Sequence, residues 1–264
     1  MKEKILLFIP MYNCEKQIVR VLDQLKCGIQ EYLSEVILIN NRSTDHGEEV
    51  AIEKIKSIDF PFSIKLLRND NNYGLGGSHK VAFNYAIAND FDYCICLHGD
   101  DQGNIVDLLP VLHQGAHRSV DCCLGGRFLP NSKLVGYSKF RTFGNHVFNL
   151  LFSVSVGKRI YDLGAGLNLY SVSSLKSQYY MTFPDNLTFN CYMLFALSTY
   201  NQKHLFFPIS WREEDQISNV KMTKQAWQTL KMAMGYCFGR KRFLEIDARE
   251  NIFQEYTSQI IYER

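Results

Sequence analysis

The chain has 264 residues, 46% of them hydrophobic, and a net charge of +2. That content can bury the core of one generous α/β domain, alone or with a small appendage, and it argues against disorder. The near-balanced charge gives no field that would name a polyanionic partner, so nucleic-acid binding has no support from charge.

Ile5-Leu6-Leu7-Phe8-Ile9 is a continuous apolar run closed by Pro10, as expected of a strand buried on both faces. Pro10 to Asn13 forms a loop, and from Glu15 to Leu25 the positions Ile18, Val19, Val21, Leu22 and Leu25 recur at helical spacing. A second unit repeats the pattern, with Glu35 to Ile39 as strand, Asn40 to Asp45 as loop and Glu48 to Ile55 as helix. Phe62 to Leu67 supplies a third strand, Asn69 to Gly77 a polar Gly-rich loop, and Ser78 to Ala88 a helix. Tyr93 to Leu97 is the next strand. Strands alternating with helices predict a mostly parallel sheet wound with right-handed crossovers, its ligand loops at the carboxyl ends.

The fourth strand ends in His98-Gly99-Asp100-Asp101-Gln102. Such side chains belong where a cation, a ligand or water meets their lone pairs; the plainer alternative is a polar turn in which Asp101 caps a helix from Asn104 to Leu112. Asp121 to Gly125 reads as a further strand ending at Gly126-Arg127-Phe128. Gly136 to Arg159 is apolar with Lys139, Arg141, Lys158 and Arg159 towards its ends, which suits a core helix or an amphipathic helix lying on a membrane. Asp162 to Tyr170 is a Gly-rich turn into a strand, Leu187 to Ser198 a helix, Leu205 to Ile209 a strand and Trp211 to Lys221 a charged loop. Met222 to Phe238 is a second amphipathic helix, with Trp227, Leu230, Met234 and Phe238 on one stripe. The cysteines sit in apolar runs rather than at metal-finger spacings and read as small buried hydrophobes of a reducing cytoplasm. No apolar run approaches the roughly 18 residues of a transmembrane helix, so any membrane contact is expected to be peripheral.

Six motifs in this order resemble family 2 glycosyltransferases of the GT-A fold, closest to the dolichyl- and polyprenyl-phosphate sugar synthases. They are Ile9-Pro10-Met11-Tyr12-Asn13-Cys14-Glu15, Ile39 to Asp45, Asn72 to Gly77, His98 to Gln102, Gly126-Arg127-Phe128 and Asp162 to Gly166. The resemblance implies an α/β GT-A (Rossmann-like) domain over residues 1–221, with 222–264 a C-terminal extension of amphipathic helices packed on it or lying at a membrane surface. It also implies Mg²⁺ or Mn²⁺ at an Asp-x-Asp motif, which neutralises the diphosphate of a nucleotide-sugar donor. Asp100 matches the second Asp of that motif and Gln102 the Gln that follows it. His98 replaces the first Asp, and as a ligand it would shift preference towards Mn²⁺.

By the same resemblance Pro10, Tyr12, Asn13 and Glu15 cradle base and ribose, Asn40 and Asn41 stand for an Asp-Asp pair that contacts them, and Asp45 and Gly76 belong to the donor loops. Arg127 lies near donor phosphates or acceptor. Arg212 and Lys221 correspond to the late loop that closes over the diphosphate, although the spacing from Arg212 to Ser218 is one residue longer than usual. A sugar-hydroxyl acceptor would need a carboxylate base, yet Phe189-Asn190-Cys191-Tyr192-Met193 has none where the family carries a glutamate; Asp162 or Asp185 would have to serve. A phosphate acceptor needs no base. Against it stands Asn168, where the lipid-phosphate branch often has Arg.

The expectation is an inverting transferase moving a sugar from a nucleotide diphosphate to polyprenyl phosphate or a lipid-linked saccharide for a surface polysaccharide, at the cytoplasmic face of a membrane, with Lys139 and Arg141 gripping the lipid phosphate. Its rivals are transfer to a soluble or polymer saccharide hydroxyl, and a nucleotide-sugar-binding protein without catalysis. Self-association is left open.

Overall fold

The computed structural model describes residues 2–213 and 222–264. In chain order its elements are β1 (Ile5–Met11), α1 (Glu15–Gln24), β2 (Leu33–Asn40), α2 (Gly47–Ser57), β3 (Ser63–Asn69), α3 (Gly74–Ala88), β4 (Tyr93–Leu97), α4 (Leu109–His113), β5 (Cys122–Gly126) and β6 (Lys133–Val135). There follow α5 (Lys139–Val156), β7 (Leu167–Ser171), α6 (Val172–Leu175), α7 (Phe189–Thr199), β8 (His204–Pro208), β9 (Ser210–Arg212), α8 (Met222–Phe238), α9 (Arg240–Glu245) and β10 (Ser258–Glu263).

An eight-stranded sheet runs in the order β10-β3-β2-β1-β4-β7-β5-β8, and β6 pairs with β9 in a small second sheet. The β1–β2, β2–β3, β1–β4 and β5–β8 pairs are parallel, as the alternation of strands and helices predicts. Strand β7 is antiparallel to both β4 and β5, and β10 is antiparallel to β3. The segment expected to be a purely helical extension therefore ends as an edge strand, stitched to β3 from Ser258 against Asn69 to Glu263 against Lys65.

Strand side chains alternate between faces, and each face has its own core. Leu6 and Phe8 of β1, Ile37 and Ile39 of β2, and Cys94 and Cys96 of β4 pack with α3 and α7. Ile5, Leu7, Ile9, Val36, Leu38, Ile95 and Leu97 pack with α1 and α2. At about 25 cal/mol per Å² of apolar area this double burial is the main stabilising contribution. The C-terminal helices add to the first core: Tyr236 stacks on Phe195 at 4.2 Å between centroids, and Phe243 stacks on Tyr192 at 4.9 Å.

Helix α3 starts a full turn earlier than its apolar spacing predicts. Gly74 takes φ +72°, and at Gly76 an added Cβ would lie 2.4 Å from the Pro184 carbonyl oxygen. The glycines let the helix start against the 184–185 turn, where the N–H of Gly76 donates to the Asp185 carbonyl at 2.7 Å. Gly76 thus packs against the 184–185 turn.

One turn on, Lys80 is fully buried. Its ammonium donates to the Phe183 carbonyl at 2.6 Å, to Asp185 Oδ1 at 2.7 Å and to the Tyr256 hydroxyl at 3.1 Å, which ties α3 to the chain before α7 and to the C-terminal segment. Burial pushes the Lys80 pKa down to about 8, with the Asp185 carboxylate opposing the shift. Between pH 8 and the unfolded value of about 10.4, the unfolded chain holds a proton that the folded protein has released, so stability gains with rising pH in that window. Denaturant titrations at pH 8 and pH 10 should show the stability of the wild type rising relative to Lys80→Met. An unchanged difference would mean that Lys80 is not the titrating group.

Candidate active site

The carboxyl ends of β1, β2 and β4 meet through their backbones. The Asn41 N–H donates to the Met11 carbonyl at 2.9 Å and the Gly99 N–H to the Pro10 carbonyl at 3.0 Å; a Cβ at residue 99 would lie 2.9 Å from that Pro10 oxygen, so only glycine allows the approach. Side chains complete the junction. Asp45 accepts the N–H of Glu15 at 2.8 Å, Glu15 accepts that of His46 at 3.2 Å, and Asn13 accepts that of Thr44 at 2.8 Å. Pro10, Asn13, Glu15 and Asp45 are brought together as the sequence anticipates. Tyr12 projects from this junction with its side chain 51% exposed, presenting a ring face on which a base can stack.

Asn40 and Asn41 differ from expectation. Both are buried. Asn40 donates to Glu48 at 2.6 Å and accepts the Ser43 N–H at 2.9 Å; Asn41 donates to Asn72 and accepts from Asn69 and from the Tyr73 N–H. Their amides are engaged in shaping the loop. Buried polar groups must find partners, and here the protein itself supplies them.

After Gly99, Asp100 is half-buried and accepts the Gln102 N–H at 3.1 Å. Asp101 takes φ +60° and is not a helix cap; Asn104 performs that task by accepting the Val106 N–H. The buried Asp101 carboxylate accepts from Arg20 Nε at 2.6 Å, from Gln24 Nε2 at 2.8 Å and from Arg212 Nη2, while Arg212 Nε reaches the Asp101 carbonyl at 2.8 Å. One carboxylate therefore joins α1, the loop after β4 and β9. Arg212 takes its place in the site through this clamp, which the sequence reading missed. Lys221 and Ser218 lie outside the described residues.

Arg127 forms a bidentate pair with Asp162 at 2.7 Å on both arms, and its backbone N–H donates to the same carboxylate at 2.9 Å. The guanidinium lies 5.0 Å from the ring of Trp211. Asp162 is buried and also accepts the Gly164 N–H. It is the counter-ion of Arg127, which leaves its oxygens engaged in place of the free lone pair that a general base needs. Asp185 is likewise committed to Lys80 and Tyr256. Arg141, expected to grip an acceptor phosphate, pairs with Glu213 and lies over the Tyr137 ring.

His98 turns inward. It has the parity of Cys94 and Cys96, its N–H extends the β4–β7 ladder to the Gly166 carbonyl at 2.9 Å, and its ring rests where any side chain at 166 would stand. The ring meets His79 edge-on at 6.1 Å. Burial, with the positive charge of Arg127 added, pushes its pKa down to about 4, so the imidazole is neutral at pH 7. The Asp100 carboxylate and the Gln102 amide at this loop are oxygen donors of the kind a hard divalent cation takes.

Replacing Arg127 with Ala leaves the Asp162 charge buried without its cation, and the expected loss is about 3–5 kcal/mol of stability in urea denaturation. Arg127→Ala/Asp162→Asn should recover part of it. A loss below about 1 kcal/mol would show that the pair is not structural.

The architecture is shared with solved glycosyltransferases. The Staphylococcus aureus protein TarS, solved with UDP-GlcNAc, superposes with a TM-score of 0.57 at 16% identity over 91% of this chain and 70% of its own. Glucosyl-3-phosphoglycerate synthase from Mycobacterium tuberculosis, solved with Mn²⁺, UDP and phosphoglyceric acid, gives 0.60 at 12% identity over 99% and 89%. In sequence the chain is 24% identical to the undecaprenyl-phosphate mannosyltransferase of Micrococcus luteus over 66% of this chain and 69% of that one. It is 23% identical to an uncharacterised protein of Methanocaldococcus jannaschii over 87% and 97%. A sequence model of Glycosyl transferase family 2 matches residues 7–178, and the chain belongs to that family: it is a glycosyltransferase with a GT-A fold.

Proposed function

We propose that this glycosyltransferase moves a sugar, with inversion, from a nucleotide diphosphate to polyprenyl phosphate at a membrane surface. The observation that carries the reading is the outward face of α5 and α8. Phe140, Phe143, Val147, Leu150 and Val154 recur every three or four residues along α5 and are all exposed, Phe140 at 74% and Val154 at 73%. Trp227 and Phe238 of α8, the helix packed beside α5, are exposed as well, Phe238 at 92%. Lys139, Lys158, Arg159 and the run Arg240-Lys241-Arg242 flank it in sequence. An apolar face with basic flanks suits an anionic lipid surface. No helix among the described residues is long and apolar enough to cross a membrane, so the contact proposed is peripheral.

Beside this face an open cleft of about 770 Å³ is lined by Phe128, His146, Leu150, Val154, Lys158 and Arg159 among others. Its mixture of apolar and cationic side chains suits a lipid chain that ends in phosphate. The acceptor chemistry agrees: Asp162 and Asp185 are both held by cations, and α7 begins with Phe189-Asn190. An ionised phosphate attacks without a base.

On this reading Tyr12 stacks on the base of the donor. Asp100 and Gln102 hold a divalent cation, Mg²⁺ or Mn²⁺, which when bound neutralises the leaving diphosphate. Arg212, placed by Asp101, faces the same diphosphate. The displacement is in line at the anomeric carbon, which inverts it, and the gain lies in preorganised charge around the leaving group.

With a nucleotide-sugar panel, product should form on detergent-solubilised polyprenyl phosphate and not on free saccharides. Asp100→Asn should lower turnover by about 10²-fold or more while leaving the melting temperature near that of the wild type. Product on the saccharide alone would overturn the lipid acceptor, and donor binding without any turnover would overturn catalysis. On flotation, the wild type should rise with phosphatidylglycerol vesicles and Phe143→Glu/Val154→Glu should stay below; equal behaviour would remove the membrane face from the reading.

A further inference from the structure

Beneath the diphosphate loop, β4 and α3 bring together His79, Cys96 and His98, whose ligand-capable atoms lie within 4.8 Å of one another. The parity of β4 sends Cys96 to the α3 face and carries His98 after it. His79 and Cys96 are fully buried. His79 Nδ1 lies 2.9 Å from the Leu75 carbonyl, which must receive an N–H; this fixes the tautomer and leaves Nε2 with its lone pair. That Nε2 is 3.4 Å from Cys96 Sγ. His98 Nε2 is buried with no hydrogen-bond partner among the described residues. A buried ring nitrogen without a partner is costly, and it stands beside a thiol and a second imidazole.

We propose that His79, Cys96 and His98 form a site for a thiophilic divalent cation of the zinc class, separate from the oxygen donors of Asp100 and Gln102. Tetrahedral zinc with bonds of about 2.3 Å to sulfur and about 2.0–2.1 Å to nitrogen places those two ligands about 3.5 Å apart. The His79–Cys96 separation matches this. Two imidazoles and a thiol favour a borderline-soft metal over Mg²⁺, and the Leu75 carbonyl is the kind of outer partner that orients a ligating histidine. On binding, the Cys96 thiol proton leaves to water and the thiolate bonds the metal; a water completes the fourth position. The ion would tie the end of β4 to α3 one residue ahead of Gly99-Asp100 and so hold the diphosphate loop in register. It gives a role to the histidine that replaces the first acid of the family motif.

The test uses the full chain, stripped with a chelator, kept reduced and titrated with Co²⁺. The wild type should bind one equivalent with a thiolate-to-cobalt charge-transfer band, which Zn²⁺ abolishes by displacement, and Zn²⁺ should raise its melting temperature. Cys96→Ala should lose the band, and His98→Asn should bind about tenfold or more weakly, with circular dichroism showing both folded. Asp100→Asn should keep the band. Should Cys96→Ala fail to fold, the His98→Asn titration decides alone, because His98 is the least buried of the three residues. Absence of the band in the wild type would overturn the proposal, leaving a thiol–imidazole hydrogen bond. So would a band that survives in Cys96→Ala and vanishes in Cys237→Ser, the variant of the exposed cysteine.

Discussion

A sheet covered on both faces leaves its strands only two directions for side chains and one place for polar groups, the strand ends. In β1, β2 and β4 every residue of the central run is apolar and buried, odd and even positions feeding separate cores. The first polar side chains permitted are therefore those beyond Met11, Ile39 and Leu97. Their loops crowd together because Gly99 lets the backbone of β1 approach within hydrogen-bond distance. The candidate site follows from that restriction: three loops, held by main-chain bonds, bring Tyr12, Asp100 and Gln102 to the same edge of the sheet.

Charge at this edge is arranged by pairing. Asp101 is countered by Arg20 and Arg212, Asp162 by Arg127, Asp185 by Lys80, and Glu48 by Arg68. Breaking a buried pair costs far more than an exposed one, so these acids serve to place cations. Two of the cations, Arg127, which lies against the Trp211 ring, and Arg212, are held by acids from elsewhere in the chain. These guanidinium groups are held in place by their acids, and on the proposed reading Arg212 would meet the leaving diphosphate already positioned, the condition under which electrostatic stabilisation is effective.

Strands β1, β2 and β4 were legible because an unbroken apolar run admits few other readings, and the loops were legible as their polar ends. The antiparallel strands were not. Leu167 to Ser171 reads as a strand in sequence, but its direction depends on the path of the chain between β5 and β7. Ser258 to Glu263 is an edge strand with half its side chains in water, so its alternation is weak. Asp101 looked like a cap because its partners lie 81 and 111 residues away, beyond any local pattern. Asn40 and Asn41 had the position of ligand-binding residues, and position alone does not say which way an amide faces. The direction of His98 was accessible in principle: counting by twos from Cys94 through Cys96 places it on the α3 face, opposite the side a metal ligand for the donor would need.

The same pairing bears on the acceptor. A hydroxyl nucleophile requires a carboxylate with an open lone pair to take its proton, whereas Asp162 and Asp185 are each occupied by a cation. Releasing either would strand Arg127 or Lys80 without its counter-ion, at a cost comparable to much of a domain's net stability. An acceptor that arrives already ionised avoids that cost. Such an acceptor, if it is a lipid, must be met at a membrane, and α5 and α8 present apolar side chains to the outside in helical register. On the proposed reading, the electrostatics of the site bear on the acceptor's phosphate and the uncovered apolar face on its hydrocarbon chain.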